Sequence, residues 1–457
     1  MGKPSVIVLE LNELSPPLMS RFIAAGELPN FARLQRESET WVTDAEEKPP
    51  FLEPWIQWVT VHTGLRYEQH QLFHLGDGHR LEAPRIWDTL SERGYSSWVC
   101  GSMNVGYRPG FHGLVMPDPW AKQLSASPEL AGYLDFVRAN VLEYSNEKHS
   151  IGKLDYAKFG LYMAQHGLSS ESVLGLGLQL VEERTNLKAK WKRAAALDLL
   201  QFDVFKHFYK KTQPDFATFF ANSTAHYQHY FWRNLDPDRF KLQPTADDQA
   251  EHREAVLFGY RRMDALVGRF IDLAGPGTTL VFATALSQQP YLLFEEDGGK
   301  VSYRPREFAP FLDAVGVKQY SDVVPVMTQN FSLRFPNKAA SEAAILALSK
   351  LIVDGQPMMA INPDPAGDSM NIGCKLHGSI TKDAVIEGGP STVRFFDLLY
   401  QIEGVKSGMH HPDGLLWVRR PDRHHETHQQ KLPLTEVHPM LLEMFPEAGS
   451  RPSSATG

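Results

Sequence analysis

The stretch from Phe51 to Gly64, FLEPWIQWVTVHTG, concentrates residue types that do chemistry. Pro54 suits the first turn of a helix, which places Glu53 at its N-cap and Trp55, Gln57, Trp58 and His62 along it. A carboxylate at a helix N-terminus is stabilised by the dipole and the exposed N–H groups, so Glu53 reads either as a cap or as an acid, base or nucleophile. Asn12-Glu13 follows the apolar run Ser5–Leu11, at the kind of strand end where open α/β sheets bind ligands. Glu13 and Glu53 are therefore expected to face one another across a pocket, as paired carboxylates do in glycosyl transfer. Trp55 and Trp58 offer flat faces for a sugar or a base, with core packing as their ordinary alternative. Ser287-Gln288-Gln289 supplies neutral hydrogen-bonding groups, and reads otherwise as a polar loop. His226 with His229, and His410 with His411, form two close pairs suited to proton transfer or to holding an anion.

These groups need a scaffold. SVIVLEL at Ser5–Leu11 is β-branched and continuously apolar, as a strand covered on both faces must be. Ser15-Pro16-Pro17 opens a helix that closes at Gly26. A helix over Ile86–Gly94 precedes a strand at Ser97–Cys100, and one over Val267–Gly275 precedes a strand at Thr279–Leu286. This alternation predicts an α/β fold with a central, mostly parallel sheet flanked by helices. Between Pro128 and Thr212 the pattern turns almost wholly helical, with no Pro or Gly from Glu182 to Tyr209, which predicts a helical cap inserted into the core. The expected organisation is a core of residues 1–127 and 213–448, a cap of 128–212 and a small polar tail of 449–457.

Several segments, in order, resemble the alkaline phosphatase superfamily, in its type I phosphodiesterase and nucleotide pyrophosphatase branch. They are Val6–Leu14 (VIVLELNEL), Leu28-Pro29-Asn30, Thr63-Gly64-Leu65 with His70, Ala225–Trp232 (AHYQHYFW), Thr284–Ser287 after TLVFA, Met409–Gly414 (MHHPDG) and Leu434–Phe445. The resemblance implies an alkaline phosphatase-like core and hydrolase or transferase chemistry on a phosphorylated or glycan-type small molecule such as a nucleotide sugar. The family holds two metal ions, one by an Asp and two His, the other by two Asp, a His and a hydroxyl nucleophile. Carried over, the first site keeps His229 and His411 but has Ala225 for its Asp. The second has Asn12, Ala285 and Leu286, with Pro54 at the nucleophile position. Alanine and leucine ligate nothing, so the two-metal centre is not expected. At most one zinc-like divalent ion is, at His229 and His411 with help from Glu13, His226 or His410. Glu53, Glu13, His229 and His411 are then the candidate catalytic residues, and Asn12, Trp55, Gln57, Trp58, His62, Ser287, Gln288, His226 and His410 the candidate substrate contacts. Two other readings stand beside this one: a ligand-binding protein that lost its chemistry, and a metal-dependent phosphodiesterase with ligands relocated to Glu10, Glu13, Asp77 or Asp264.

Composition sets outer bounds. Of 457 residues, 42% are hydrophobic and 22% charged, which excludes a disordered or fibrous chain. A net charge of −8 argues against a nucleic-acid partner. Cys100 and Cys374 carry no metal-binding spacing. With no apolar run long enough for a membrane span and no signal-peptide core, a cytoplasmic protein is expected.

Overall fold

The computed structural model describes residues 4–121, 123–143, 152–325, 329–364, 367–402 and 404–447. Its central sheet is built around β1 (Val6–Leu11), every residue of which is buried. On one side β1 pairs in parallel with β5 (Phe216–Ala221), then β3 (Ser97–Cys100) and β4 (Gly113–Met116) follow, also parallel. On the other side it pairs in parallel with β6 (Thr279–Ala283), beyond which β9 (Asp413–Arg419) runs antiparallel and joins β2 (Glu39–Asp44). The sheet is thus mixed but mostly parallel, with the continuous apolar strands that double-sided burial demands. β6 stops at Ala283 rather than reaching Leu286, because Ala285 takes a positive φ of 58° and the Leu286 amide turns back onto the Thr284 carbonyl. Ser287–Pro290 is not a loop: it forms β7, paired antiparallel with β8 (Gly408–His411). Asp413-Gly414 opens β9.

Alternate residues of β1 feed two apolar clusters. Ile7, Leu9 and Leu11 pack with Leu200, Phe205, Val267 and Phe270, whereas Val6 and Val8 pack with Trp58, Val61, Trp87 and Leu441. This is the two-residue period of a strand read from both faces. A third cluster lies wholly within residues 301–399, around a four-stranded antiparallel sheet. Sequence patterning had not separated it.

The helical stretch from Glu182 to Tyr209 is broken. A helix, α2 (Ser170–Thr185), ends where Asn186 turns extended; a short 3₁₀ segment over Leu187–Arg193 follows, and α3 (Ala194–Thr212) starts there. α3 buries Leu200, Phe202, Val204, Phe205 and Phe208 in the same cluster as β1. The tail from Gly449 lies outside the described residues. Among the described residues no helix is long and apolar enough to cross a membrane.

His70 carries a stability prediction. It is buried, its Nδ1 accepts from the Leu72 amide at 3.1 Å, and its Nε2 has no hydrogen-bond partner among the described residues. Burial, with Arg85 adding repulsion, pushes it down to about 4. The unfolded chain therefore binds a proton that the native state refuses, so this contribution is intact above about 6.5 and is lost as pH falls towards 4, on the order of 3 kcal/mol. In His70→Gln the fall in melting temperature between pH 7 and pH 4 should shrink; an unchanged fall would exclude His70 as the source.

Candidate functional site

The site gathers at the carboxyl ends of β1 and β6. Around it lie helix α1 (Pro54–Thr63), helix α4 (Ser223–Leu235), which follows β5, and the β7–β8 pair. Glu13 leaves β1 with φ of 63°. A β-carbon makes that left-handed conformation cost roughly 1–2 kcal/mol, and here it is held from outside. Glu13 bridges to Ser287, its carbonyl accepts from Gln228 Nε2 at 2.7 Å, and Tyr260 fixes Gln228 in turn. The consequence is a carboxylate turned inward, 1% exposed.

Three ligand-type groups converge there, Glu13, His229 and His410, with one donor atom from each lying within 4.8 Å of the others. His229 Nδ1 lies 3.0 Å from the Gly408 carbonyl and His410 Nδ1 3.0 Å from the Leu52 carbonyl. A carbonyl only accepts, so each ring donates from Nδ1 and leaves Nε2 as the atom turned to Glu13. The two Nε2 atoms lie 3.2 Å and 3.5 Å from Glu13 Oε2. Glu13 is locked further by Asn12 Nδ2, donating at 2.8 Å, and by Gln288 Nε2, donating at 2.5 Å. Burial by itself would raise its carboxyl, but His410, His229 and the Gln288 amide hold it down at about 2, so it is ionised at neutral pH. Burial pushes His410 the other way, to about 4.

Glu53 is the outer member of the group. It occupies the N-cap position of α1, yet its side chain makes no capping hydrogen bond. Instead Oε2 lies 3.4 Å from His410 Nδ1, with the side chain 30% exposed. Desolvation raises it to about 8, and nearby Glu13 adds to that, against the pull of Lys406 and Lys300. Glu13 and Glu53 consequently do not face each other across an open pocket; the His410 imidazole stands between them. Lys406 and Lys300 are half-buried and joined backbone to backbone, Lys406 N to Lys300 O at 2.9 Å. Sequence reasoning missed both, although Lys406 stands only four residues before His410.

The remaining expected residues fall elsewhere. His411 is outside the cluster, contrary to the pairing with His229 implied by the resemblance. Neighbouring residues of a strand project to opposite faces, and its Nδ1 accepts from the Asp413 amide. His226 packs beside Tyr227 and Tyr230. Trp58 is fully buried and donates Nε1 to Asn12 Oδ1 at 2.8 Å, so it has no face to offer a ligand. His62 is buried against Glu10, with Nε2 2.8 Å from Oε1, and Gln57 donates to the Phe51 carbonyl. Trp55 is half-buried and donates to the Phe73 carbonyl. Gln288 lies inside the site, while Ser287 supplies backbone pairing to Glu13. Of the other acids considered as relocated ligands, Asp264 is taken up by Asn30 and the Phe31 amide, and Asp77 by Arg80.

The second metal position implied by the resemblance does not fit these residues. Asn12 uses its amide on Trp58, Glu13 and Asn222, Ala285 and Leu286 are buried apolar groups, and Pro54 begins α1. Asn12→Asp tests this directly. It would replace a donor by an acceptor facing Glu13 Oε1 and Asn222 Oδ1, so we expect a loss of roughly 3 kcal/mol, as for an unpaired buried charge. The melting temperature should drop with no gain in bound metal; a stable variant that takes up an additional ion would overturn this account of Asn12.

No family model matches the chain, and no curated protein matches it. Among solved structures it is similar to phosphonoacetate hydrolase from Sinorhizobium meliloti 1021, with 11% identity over 97% of this chain and 96% of that one and a TM-score of 0.43. It is also similar to murine ectonucleotide pyrophosphatase/phosphodiesterase 5 in complex with AMP, with 10% identity over 98% and 97% and a TM-score of 0.43. For the human counterpart the values are 9%, 98%, 97% and 0.42. Similarity this loose carries no inference about chemistry.

Proposed function

We propose that the chain is a hydrolase or transferase that works with one divalent cation held by Glu13, His229 and His410, on a small phosphorylated or glycan-type substrate such as a nucleotide sugar. The observation that carries this reading is that three ligand-type atoms lie within 4.8 Å of one another, each on a side chain held by a fixed partner. Carbonyls that hold the far nitrogen of an imidazole, and amides that hold a carboxylate, are what orients ligands around a cation. Two imidazoles and one carboxylate suit zinc or a similar first-row ion and leave positions open, and such an ion supplies Lewis acidity when bound.

The chain's own groups do the rest. Glu13 holds a permanent negative charge and is too enclosed to touch a substrate. Glu53 is the carboxyl that reaches solvent, and it is placed to move a proton at Oε2 between the attacking hydroxyl and the leaving group. Lys300 and Lys406 put positive charge beside it, where an anionic substrate group is favoured. With Pro54 at the position of the superfamily's nucleophile, the attacking group is a water or an acceptor hydroxyl rather than a side chain.

The test is a panel of phosphate monoesters, diesters, nucleotide sugars and aryl glycosides, assayed on protein reconstituted with zinc, manganese or magnesium. Turnover that disappears with chelator and returns with metal supports the reading. Binding of a panel member without turnover under every metal would make the chain a binding protein.

A further inference from the structure

α2 is built inside out. At 100° per residue, Val173, Leu174, Leu178, Leu180 and Val181 span an arc of roughly 160°, far wider than the stripe by which a helix docks onto its own core. That arc faces solvent: all five side chains are more than half exposed. The opposite side, with Ser172 and Glu183 buried and Gly175, Leu176 and Gln179 half-buried, is the one turned to the protein. Five large apolar groups at that exposure present on the order of 500 Å² on a helix about 24 Å long, and patches of that size on soluble proteins mark contact surfaces.

We propose that this face is an isologous dimer contact, in which α2 packs antiparallel against α2 of a second copy of the chain. The order of residues along the helix is self-complementary in that arrangement. With Gly177 of one copy opposite Leu178 of the other, Leu174 falls opposite Val181 and Glu171 opposite Arg184, and a two-fold axis repeats each pair. Gly177 is exposed, and a Cβ built there meets nothing within 4 Å among the described residues, so it leaves a notch for the partner's leucine. Glu171, paired with Arg269 at 2.8 Å and 70% exposed, sits at one end, and exposed Arg184 at the other. Opposite charges at the two ends favour antiparallel over parallel packing, because parallel packing would set Glu171 against Glu171 and Arg184 against Arg184. A lipid surface fits the helix less well, since interfacial helices carry Lys and Arg along their polar side, whereas this one carries Glu171, Glu182 and Glu183.

Sedimentation equilibrium on the full chain at micromolar concentrations reads the state directly. The wild type should be a dimer, and Leu178→Glu a monomer with an unchanged far-UV spectrum and melting temperature. Arg184→Glu should weaken the dimer at least about tenfold by setting like charges opposite one another, and Glu171→Arg combined with Arg184→Glu should recover most of that loss. A monomeric wild type, a dimer indifferent to Leu178→Glu, or a monomer that binds phospholipid vesicles through the same leucines would overturn the proposal.

Discussion

Alanine in place of His410 is expected to take the protein from one bound divalent ion per chain to none, and to reduce cation-dependent turnover by about 10³-fold or more, the equivalent of several kcal/mol of lost Lewis-acid stabilisation. His229→Ala and Glu13→Gln should behave alike, because each removes one of three donor atoms that meet within 4.8 Å. His411→Ala, one residue from His410, should leave the ion in place. Metal content by mass spectrometry after loading and dialysis separates these outcomes without any substrate. Retention of the ion by His410→Ala with its loss from His411→Ala would reverse the assignment, and two tightly held ions per wild-type chain would end the single-cation reading.

Glu53→Gln is expected to lower turnover by roughly 10² to 10⁴-fold, the usual range for removing a general acid or base, while the metal content stays at one. Stability should hardly move. The Glu53 side chain caps nothing in α1, so the cap loss of about 1 kcal/mol that follows ordinary N-cap substitutions does not arise. Turnover at the wild-type rate with metal bound would remove Glu53 from the chemistry and leave it a carboxyl near His410. A fall in metal content alongside the fall in rate would place it instead among the groups that hold the ion.

These two experiments divide the site along the line that burial draws through it. Glu13 is enclosed and satisfied by donors from Asn12 and Gln288, whereas Glu53 is the carboxyl with an open side. Identical side-chain chemistry is thus shifted in opposite directions by different surroundings.

By itself the sequence determined the central strands, because a strand buried on both faces must be a continuous apolar run, and VIVLEL and TLVFA are such runs. It likewise determined that positions 225, 285 and 286 ligate nothing, since alanine and leucine exclude ligation wherever they lie. The break in the long helical stretch was not legible, because Asn186 is no strong helix breaker and no Gly or Pro marks the place. Only tertiary structure decided between His410 and His411. Nothing in a His-His pair says which ring turns inward; that is settled by the register of β8 against β7, where a shift of one residue exchanges the two faces. The inward turn of Glu13 was also hidden, because its positive φ is imposed by Ser287 and Gln228, more than two hundred residues away in sequence. Lys300 joins Lys406 beside Glu53 for the same reason: a backbone hydrogen bond between distant segments places charge that local patterning cannot foresee.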